Sequence, residues 1–355
     1  MTPIHSLTSL RLVFALMVFA SHCNIVSACF DRPILTEGYV GVSFFFVLSG
    51  FIISYSYEER FRQANVSKSD FWVARVARIY PLHWLMLLIA AALGTYTLAN
   101  GFVDWARHFI ANLLLCQAYM PDAAYFFSFN SPSWSLCCEQ LFYLCFPFMV
   151  PLLRHPRRLY ILFTLCAVAV VVGMWFTPSD MAKGIWYVNP LARFPDFLLG
   201  MIVYVCYRHC RQPKGIATWG CTLVELIVIL LFIVFYIAGP HITQVYRYSC
   251  YYWLPVALVI FVFALQRGAL SRLLSARWLV QGGKISFGFY LIHHLLFRLY
   301  VEAERHLGFS LSPWVEVLFI LLLALLLSVL SFYIFERPMS HFVKRIALHQ
   351  RYKNL

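Results

Sequence analysis

Residues 11–22 of the chain read RLVFALMVFASH, and this stretch decides the class of protein. Only its last two residues, Ser21 and His22, interrupt the apolar run that follows Arg11. An α-helix rises about 1.5 Å per residue, so Arg11 and His22 share one helix face about 16 Å apart. That distance is roughly half of a ~30 Å hydrocarbon core. Because neither side chain is stable in lipid, we interpret the pair as part of a site reached from both sides of a membrane.

The composition extends this interpretation to the whole chain. Of its 355 residues, 62% are hydrophobic and only 12% are charged. A soluble protein this apolar would have too few polar side chains to cover its core. We therefore predict an all-α polytopic integral membrane protein with one domain, residues 1–355, no signal peptide and no appended extracytoplasmic domain. The 11 cysteines lack metal-ligand spacing, so we expect no metal site.

Ten apolar runs are long enough to cross a bilayer. They lie near residues 7–28, 38–57, 79–98, 133–153, 159–177, 189–207, 219–238, 250–266, 286–303 and 314–335. A further run, 105–119, is short and begins with charged residues. If this run does not cross, most Lys and Arg residues of the connecting segments fall on one side. The sequence therefore predicts about ten transmembrane helices, both termini in the cytoplasm, and 105–119 at the outer face.

The net charge of +13 belongs to these connecting segments and to the C-terminus, where Lys214 and Lys353 are examples. Basic residues in short loops orient a membrane protein through the positive-inside rule. The charge therefore predicts an orientation, and we expect no binding of nucleic acid.

Two ionisable side chains are predicted at one depth. His22 is about six residues from the outer end of the first span, and Glu139 is about six residues into the fourth, so both are expected ~9 Å below the outer boundary. A neutral imidazole can take a proton from a hydroxyl, and a carboxylate can orient that imidazole. The alternative for His22 is a hydrogen bond that serves helix packing, and for Glu139 an ion pair with Arg193.

Arg75 and Arg78 are three residues apart at the predicted cytoplasmic end of the third span. Two guanidinium groups on one helix face can bind phosphates bidentately. The positive-inside rule also places basic residues at such a boundary, and Arg11 can extend along its helix to the interface in the same way. From the residue types alone, both interpretations remain open.

The sixth and ninth spans carry further polar groups. Arg193 and Asp196 are three residues apart and are consistent with either a buried ion pair or an acceptor site. Tyr290 aligns with His293 and His294 on one side of a helix. Adjacent histidines point in different directions, so we expect at most one of them to line a cavity.

The segment GYVGVSFFFVLSGFII at residues 38–53 supplies four small residues, which are Gly38, Gly41, Ser49 and Gly50. Small residues let two helices, or a helix and a thin ligand, approach closely. Close packing and ligand binding explain them about equally well.

Six motifs, in this order, resemble those of the acyltransferase 3 family of integral membrane O-acyltransferases, and the resemblance covers nearly the whole chain. The motifs are Arg11 with His22, FFxLSGF at Phe45–Phe51, RxxR at Arg75 and Arg78, WSLxxExxFY at Trp134–Tyr143, RxxEFxxG at Arg193–Gly200, and YLxH at Tyr290–His293. The chain departs from the family at Ser43, where an acidic residue is frequent, at Asp196, which replaces glutamate, and at Leu295, which replaces a frequent proline.

The resemblance implies acyl-coenzyme A, first of all acetyl-CoA, as a cytoplasmic co-substrate and a carbohydrate hydroxyl as the acceptor outside. It implies that His22 is catalytic with support from Glu139, and that the coenzyme A contacts are Arg11, Ser49, Gly50, Arg75 and Arg78. Acceptor contacts are expected at Trp134, Ser135, Tyr143, Arg193, Asp196, Tyr290 and His293. We expect an enzyme of the bacterial inner membrane that modifies a polysaccharide such as lipopolysaccharide. The alternative is a proton-coupled carrier of a polar solute or lipid-linked sugar.

Overall fold

A computed structural model describes residues 2–211, 218–308 and 311–352, with side chains as far as residue 347. Lys214 and Lys353 lie outside the described residues. Helices dominate this part of the chain, and it contains no β-strand. The all-α prediction is confirmed.

The longer helices coincide with the predicted spans. In chain order they are α1 (His5–Ala20), α2 (Val40–Arg62), α3 (Lys68–Ala92), α4 (Phe102–Leu113), α5 (Trp134–Met149), α6 (Pro156–Phe176), α7 (Phe194–Cys210), α8 (Thr218–Ala238), α9 (Trp253–Ala264), α10 (Arg277–Leu307), α11 (Pro313–Leu330) and α12 (Arg337–Tyr352). Seven helical stretches among the described residues are long and apolar enough to cross a membrane, which confirms a polytopic membrane protein. The number of crossings and the side of each terminus remain predictions. Two of these helices do not coincide with a predicted span: α4, whose 12 residues are fewer than the ~20 that a crossing requires, and α12, which follows the last predicted run.

One close helix crossing joins α2 to α7. A Cβ atom on Gly50 would overlap the carbonyl oxygen of Phe197, and one on Gly200 would overlap that of Val47. The two backbones therefore touch at a pair of small residues, as helices in membranes often do. Gly50 accordingly serves helix packing and does not line the central cavity described below, contrary to the prediction that it contacts coenzyme A.

α1 ends earlier than its apolar run predicts. In a continuing helix, the carbonyl of Val18 would accept a hydrogen bond from the backbone N–H of His22. Instead it accepts from the Oγ of Ser21 at 2.7 Å and from the Nδ1 of His22 at 2.9 Å. The N–H of His22 turns to the carbonyl of Phe19 at 3.0 Å. His22 therefore lies in the turn after α1, near the end of the span, and the predicted position six residues inside it is wrong.

α1 and α10 run parallel and in contact along their length. A Cβ on Gly283 of α10 would overlap the backbone carbonyl of Thr8, so the two helices approach closely near their first turns. Further along, the rings of Phe19 and Phe289 lie 5.7 Å apart between centroids. This pairing carries the C-terminal end of α1 to the middle of α10.

Candidate active site

A central cavity lies between α1, α2, α3, α5 and α10 and holds about 930 Å³, including its open mouth. Apolar side chains such as Phe45, Phe46 and Ile52 form much of its wall. The predicted site residues that line it are Arg11, Ser49, Arg75, Arg78, Ser135, Glu139, Tyr143 and Tyr290. Motifs from five separate parts of the sequence thus meet in one place.

The two arginines of the RxxR motif differ in their surroundings. The guanidinium of Arg75 donates a hydrogen bond to the hydroxyl of Tyr57 at 3.1 Å. It also lies 5.3 Å from the ring centroid of Tyr57 and 5.7 Å from those of Phe71 and Tyr143. Arg78 is exposed and forms no hydrogen bond or ion pair with any described residue. Arg75 is therefore held by an aromatic cage, whereas Arg78 is free to bind an anion.

Glu139 belongs to the arginine end of the cavity. Its Oε2 accepts a hydrogen bond from the hydroxyl of Tyr143 at 2.7 Å, and its charge interacts with that of Arg11. Within the described part of the chain it forms no hydrogen bond with His22. The expected pairing of Glu139 with His22 is thus not found, because α1 ends early and because the glutamate side chain turns toward Tyr143.

The partner of His22 is His293. A carbonyl oxygen only accepts hydrogen bonds, so the contact with the carbonyl of Val18 assigns a proton to the Nδ1 of His22. By the same reasoning the Nδ1 of His293 donates to the carbonyl of Phe289 at 3.0 Å, which leaves its Nε2 as an acceptor. That Nε2 lies 3.3 Å from the Nδ1 of His22. The Nε2 of His22 consequently carries a lone pair, and no described residue bonds to it.

This imidazole pair lies one helical turn beyond the central cavity. Tyr290 lines the cavity at the end away from Arg78, and its ring centroid is 6.0 Å from that of His293. The ring of Phe45, which also lines the cavity, lies 6.2 Å from the ring of Tyr290, so two aromatic rings form the cavity wall at this end.

The hydroxyls at this end have partners on the backbone. Ser135 Oγ donates to the carbonyl of Pro132 at 3.0 Å, and the hydroxyl of Tyr290 donates to the same oxygen at 3.3 Å. Both predicted residues are therefore fixed at the cavity end nearest the imidazoles.

The two histidines of the ninth span lie beside His22, and their absence from the wall of the central cavity agrees with the prediction that at most one of them lines it. Neither His293 nor His294 lines the central cavity, and both rings flank His22, with centroid separations of 5.2 Å and 5.1 Å. His294 was not predicted as a site residue. The sequence signals for it were its position beside His293 and its alignment with Tyr290 one turn earlier on the helix.

Two cations near the imidazoles also escaped the sequence analysis. Lys183 interacts electrostatically with His22, and its Nζ lies 5.0 Å over the ring of Phe127. Burial lowers the pKa of Lys183. Arg298, one turn beyond His294 on α10, donates to the carbonyl of Thr95 at 2.8 Å. In the sequence, a single basic residue near a functional site looks the same as a basic residue in any other loop or at any other helix end.

Three predicted acceptor residues lie elsewhere in the fold. Arg193 is fully buried, its Nε is 3.2 Å from Asp196, and it donates to Ser43 Oγ at 2.7 Å. Asp196 also accepts from the indole N–H of Trp253 at 2.8 Å. Trp134 is buried and, like this ion pair, does not line the central cavity. The buried-ion-pair alternative therefore describes Arg193 and Asp196, because their own partners satisfy both charges.

The chain belongs to the acyltransferase 3 family, whose sequence model, described as an acyltransferase domain, matches residues 4–333. It is 32% identical to the acyltransferase MdmB of Streptomyces mycarofaciens over 322 residues, which cover 82% of this chain and 79% of that protein. It is 28% identical to the exopolysaccharide production protein ExoZ of Rhizobium meliloti, covering 86% and 90% of the two chains.

The O-acetyltransferase OatA of Staphylococcus aureus is 26% identical over 86% of this chain, but the match spans only 53% of OatA. No solved structure matches the chain significantly. The family, these relatives and the apolar helices together identify a membrane acyltransferase.

Proposed function

We propose that this membrane acyltransferase transfers an acetyl group from cytoplasmic acetyl-CoA to a hydroxyl of an extracytoplasmic or lipid-linked carbohydrate in a bacterial inner membrane. The names of two relatives, O-acetyltransferase OatA and exopolysaccharide production protein ExoZ, support the acyl group and the acceptor class. The observation that carries the proposal is a cavity with free basic groups at one end and an imidazole pair just beyond the other.

The charged and uncharged parts of the donor match the two ends of the central cavity. Phosphates at the nucleotide end of coenzyme A would bind Arg78 and Arg11, since guanidinium groups bind phosphate strongly. The thin pantetheine arm would follow the wall formed by Ser49, Ile52 and Phe45. This path leads the thioester toward Tyr290 and the imidazoles.

The acceptor hydroxyl would react at His22. Its oxygen attacks the thioester carbonyl carbon while the Nε2 of His22 removes its proton. The tetrahedral intermediate then collapses, the C–S bond breaks, and the leaving thiolate takes that proton from His22 to become the free thiol of coenzyme A. Meanwhile the carbonyl of Val18 and the Nε2 of His293 share the Nδ1–H of His22 and together stabilise the transient imidazolium, the part that an acidic residue plays in a Ser-His-Asp arrangement.

The aromatic pair of Phe45 and Tyr290 would keep water from the thioester until an acceptor is present. Such exclusion matters because water would otherwise compete with the hydroxyl as the nucleophile. Glu139, beside Arg11, offsets part of the positive charge at the donor end and takes no direct part in proton transfer.

The proposal is tested by following both products. Purified protein in lipid nanodiscs is given acetyl-CoA with and without a glycan-bearing membrane extract, and the released thiol is measured. Surface glycans from cells with the wild-type chain, with His22→Ala and with no chain are compared by mass spectrometry. We expect acceptor-dependent thiol release and one acetyl mass that only the wild type adds. Acetylation retained in cells carrying correctly inserted His22→Ala would overturn the proposal.

A further inference from the structure

A second cavity of about 730 Å³, including its open mouth, adjoins the first. Arg11, Arg78 and Phe287 line both cavities. The other residues that line it are Lys284, Phe332, Glu336, Arg337, Ser340 and His341. We call this cavity the basic vestibule, because five of these nine side chains are Arg, Lys or His.

Four helices bring the basic side chains together. Arg11 comes from α1, Arg78 from α3 and Lys284 from α10, whereas Arg337 and His341 lie one turn apart on α12. α12 packs along α3, and on its next turn Lys344 is within electrostatic range of Arg78. The positive charge is therefore assembled from distant parts of the sequence.

The positive-inside rule accounts for basic residues on one side of a membrane but not for their convergence on one cavity. Like charges repel, so such a cluster is unfavourable without an anion. Arg78, Lys284 and Arg337 are exposed and form no hydrogen bond or ion pair with any residue that the structure describes. The one carboxylate lining the vestibule, that of Glu336, interacts electrostatically with Arg78 and Arg11 and accepts a hydrogen bond from Ser331 Oγ at 3.1 Å, but it is a single negative charge among Arg11, Arg78, Lys284 and Arg337. The excess of positive charge is left unbalanced.

We propose that the basic vestibule binds the phosphate groups at the nucleotide end of the thioester donor, through Lys284 and Arg337 together with Arg78. The proposal rests on the proposed function, which takes acyl-CoA as the donor. A cavity of a few hundred Å³ is the size that a ligand of this kind occupies. Because Arg11 and Arg78 belong to both cavities, a donor with its phosphates in the vestibule has its thioester arm directed along the central cavity toward Tyr290.

The test compares two donors with the same thioester arm, only one of which carries the nucleotide and its phosphates. Steady-state kinetics of Lys284→Gln/Arg337→Gln are measured with acetyl-CoA and with acetyl-pantetheine, which has the same thioester arm but no nucleotide. We expect the KM for acetyl-CoA to rise about tenfold or more. The KM for acetyl-pantetheine and both kcat values should change less than about twofold. An unchanged KM for acetyl-CoA, or an equal rise for both donors, would overturn the proposal.

Matched controls come from the same two helices. Arg277 on α10 and Arg345 on α12 are exposed cations that line neither cavity. The variant Arg277→Gln/Arg345→Gln removes the same charge from the same helices, so it should leave the KM for acetyl-CoA unchanged. A rise in this control equal to that in the vestibule variant would show a general effect of charge and contradict a defined site.

A lipid headgroup offers the same phosphate chemistry, and a second measurement separates the two sources. Adenosine 3′,5′-bisphosphate should inhibit the wild type competitively against acetyl-CoA, and about tenfold more weakly in the vestibule variant. Inhibition should be the same in phosphatidylcholine and phosphatidylglycerol nanodiscs. If only phosphatidylglycerol distinguishes wild type from variant, the vestibule binds lipid and the proposal fails. A wild type that never consumes acetyl-CoA would instead defeat the proposed function itself.

Discussion

The Nε2 of His293 lies 3.3 Å from the Nδ1 of His22, although 271 positions separate the two residues in the chain. Both rings are oriented by carbonyl oxygens of their own helices, one from Val18 and one from Phe289. This arrangement directs a free ring nitrogen of His22 away from the pair. The carbonyl of Val18 therefore orients the proposed base, and its second neighbour is the imidazole of His293, not a carboxylate.

His22→Ala removes the proposed base. We expect kcat to fall by a factor of about 10³ or more, within the range ascribed to general base catalysis. Thiol release from acetyl-CoA in the presence of acceptor measures this loss. The variant should still insert, because the Oγ of Ser21 continues to bond the carbonyl of Val18 at the end of α1, and thermal unfolding measured in parallel reports any loss of stability from the missing His22 contacts. Turnover within tenfold of the wild type would exclude His22 as the base.

His293→Leu removes the acceptor next to the Nδ1 of His22. Outer partners of a catalytic group typically contribute ten- to a hundredfold, so we expect a fall in kcat of about that size with the donor KM changed less than about twofold. His293→Gln keeps a side-chain oxygen that can accept a hydrogen bond and should recover part of the activity. Equal losses in the Leu and Gln variants would mean that His293 contributes packing alone.

Glu139 and Tyr143 share a hydrogen bond of 2.7 Å, so their effects on kcat/KM should be coupled. A double-mutant cycle of Glu139→Gln and Tyr143→Phe is expected to give an interaction energy of about 0.5–3 kcal/mol. The cycle of Glu139→Gln with His293→Leu should be additive to within about 0.5 kcal/mol. An interaction energy well above that value in the second cycle would mean that Glu139 acts together with the imidazole pair.

Arg75 and Arg78 should give different phenotypes despite their shared motif. Arg78→Gln is expected to raise the donor KM several-fold with little change in thermal stability, because Arg78 is exposed and has no partner among the described residues. Arg75→Gln should lower the unfolding temperature as well, because it removes a guanidinium packed against three aromatic rings. The measurements are donor KM and thermal unfolding in detergent. An identical response from both variants would contradict the distinction.

Gly50→Ala should destabilise the protein without a direct effect on donor binding. The added Cβ would overlap the carbonyl of Phe197, so α2 and α7 must separate. Overpacking of this kind costs about 1–3 kcal/mol, which thermal unfolding of the purified protein would detect. Ser54→Ala, one turn further along α2, is the control, since the Oγ of Ser54 is buried without a hydrogen-bond partner in the described structure. If both variants unfold at the same temperature, the crossing is not tightly packed.

The sequence predicts well whatever depends on length and local pattern. Ten apolar runs became helices because a run of about 20 apolar residues needs a helix to satisfy its backbone in lipid. The short run 105–119 corresponds to the short helix Phe102–Leu113. The motifs also identified Arg11, Arg78, Glu139 and Tyr290, which meet in the central cavity.

What the sequence could not predict depends on contacts between distant segments. α1 ends early because the side chains of Ser21 and His22 donate hydrogen bonds to the carbonyl of Val18. The apolar pattern of the sequence does not predict these two bonds. Arg193 with Asp196 has the same residue types whether it forms a buried pair or a ligand site. Lys284 and Arg337 became interpretable only when their helices were seen to share a cavity.

The pairing of α1 with α10 also bears on how the enzyme is made. During synthesis His22 enters the bilayer with the first helix, long before His293 leaves the ribosome. A nascent chain therefore contains no assembled imidazole pair until most of its length has been translated and inserted. Chains that stall or are cut before that point are expected to be inert toward cellular thioesters. Incomplete chains would therefore not consume acyl-CoA.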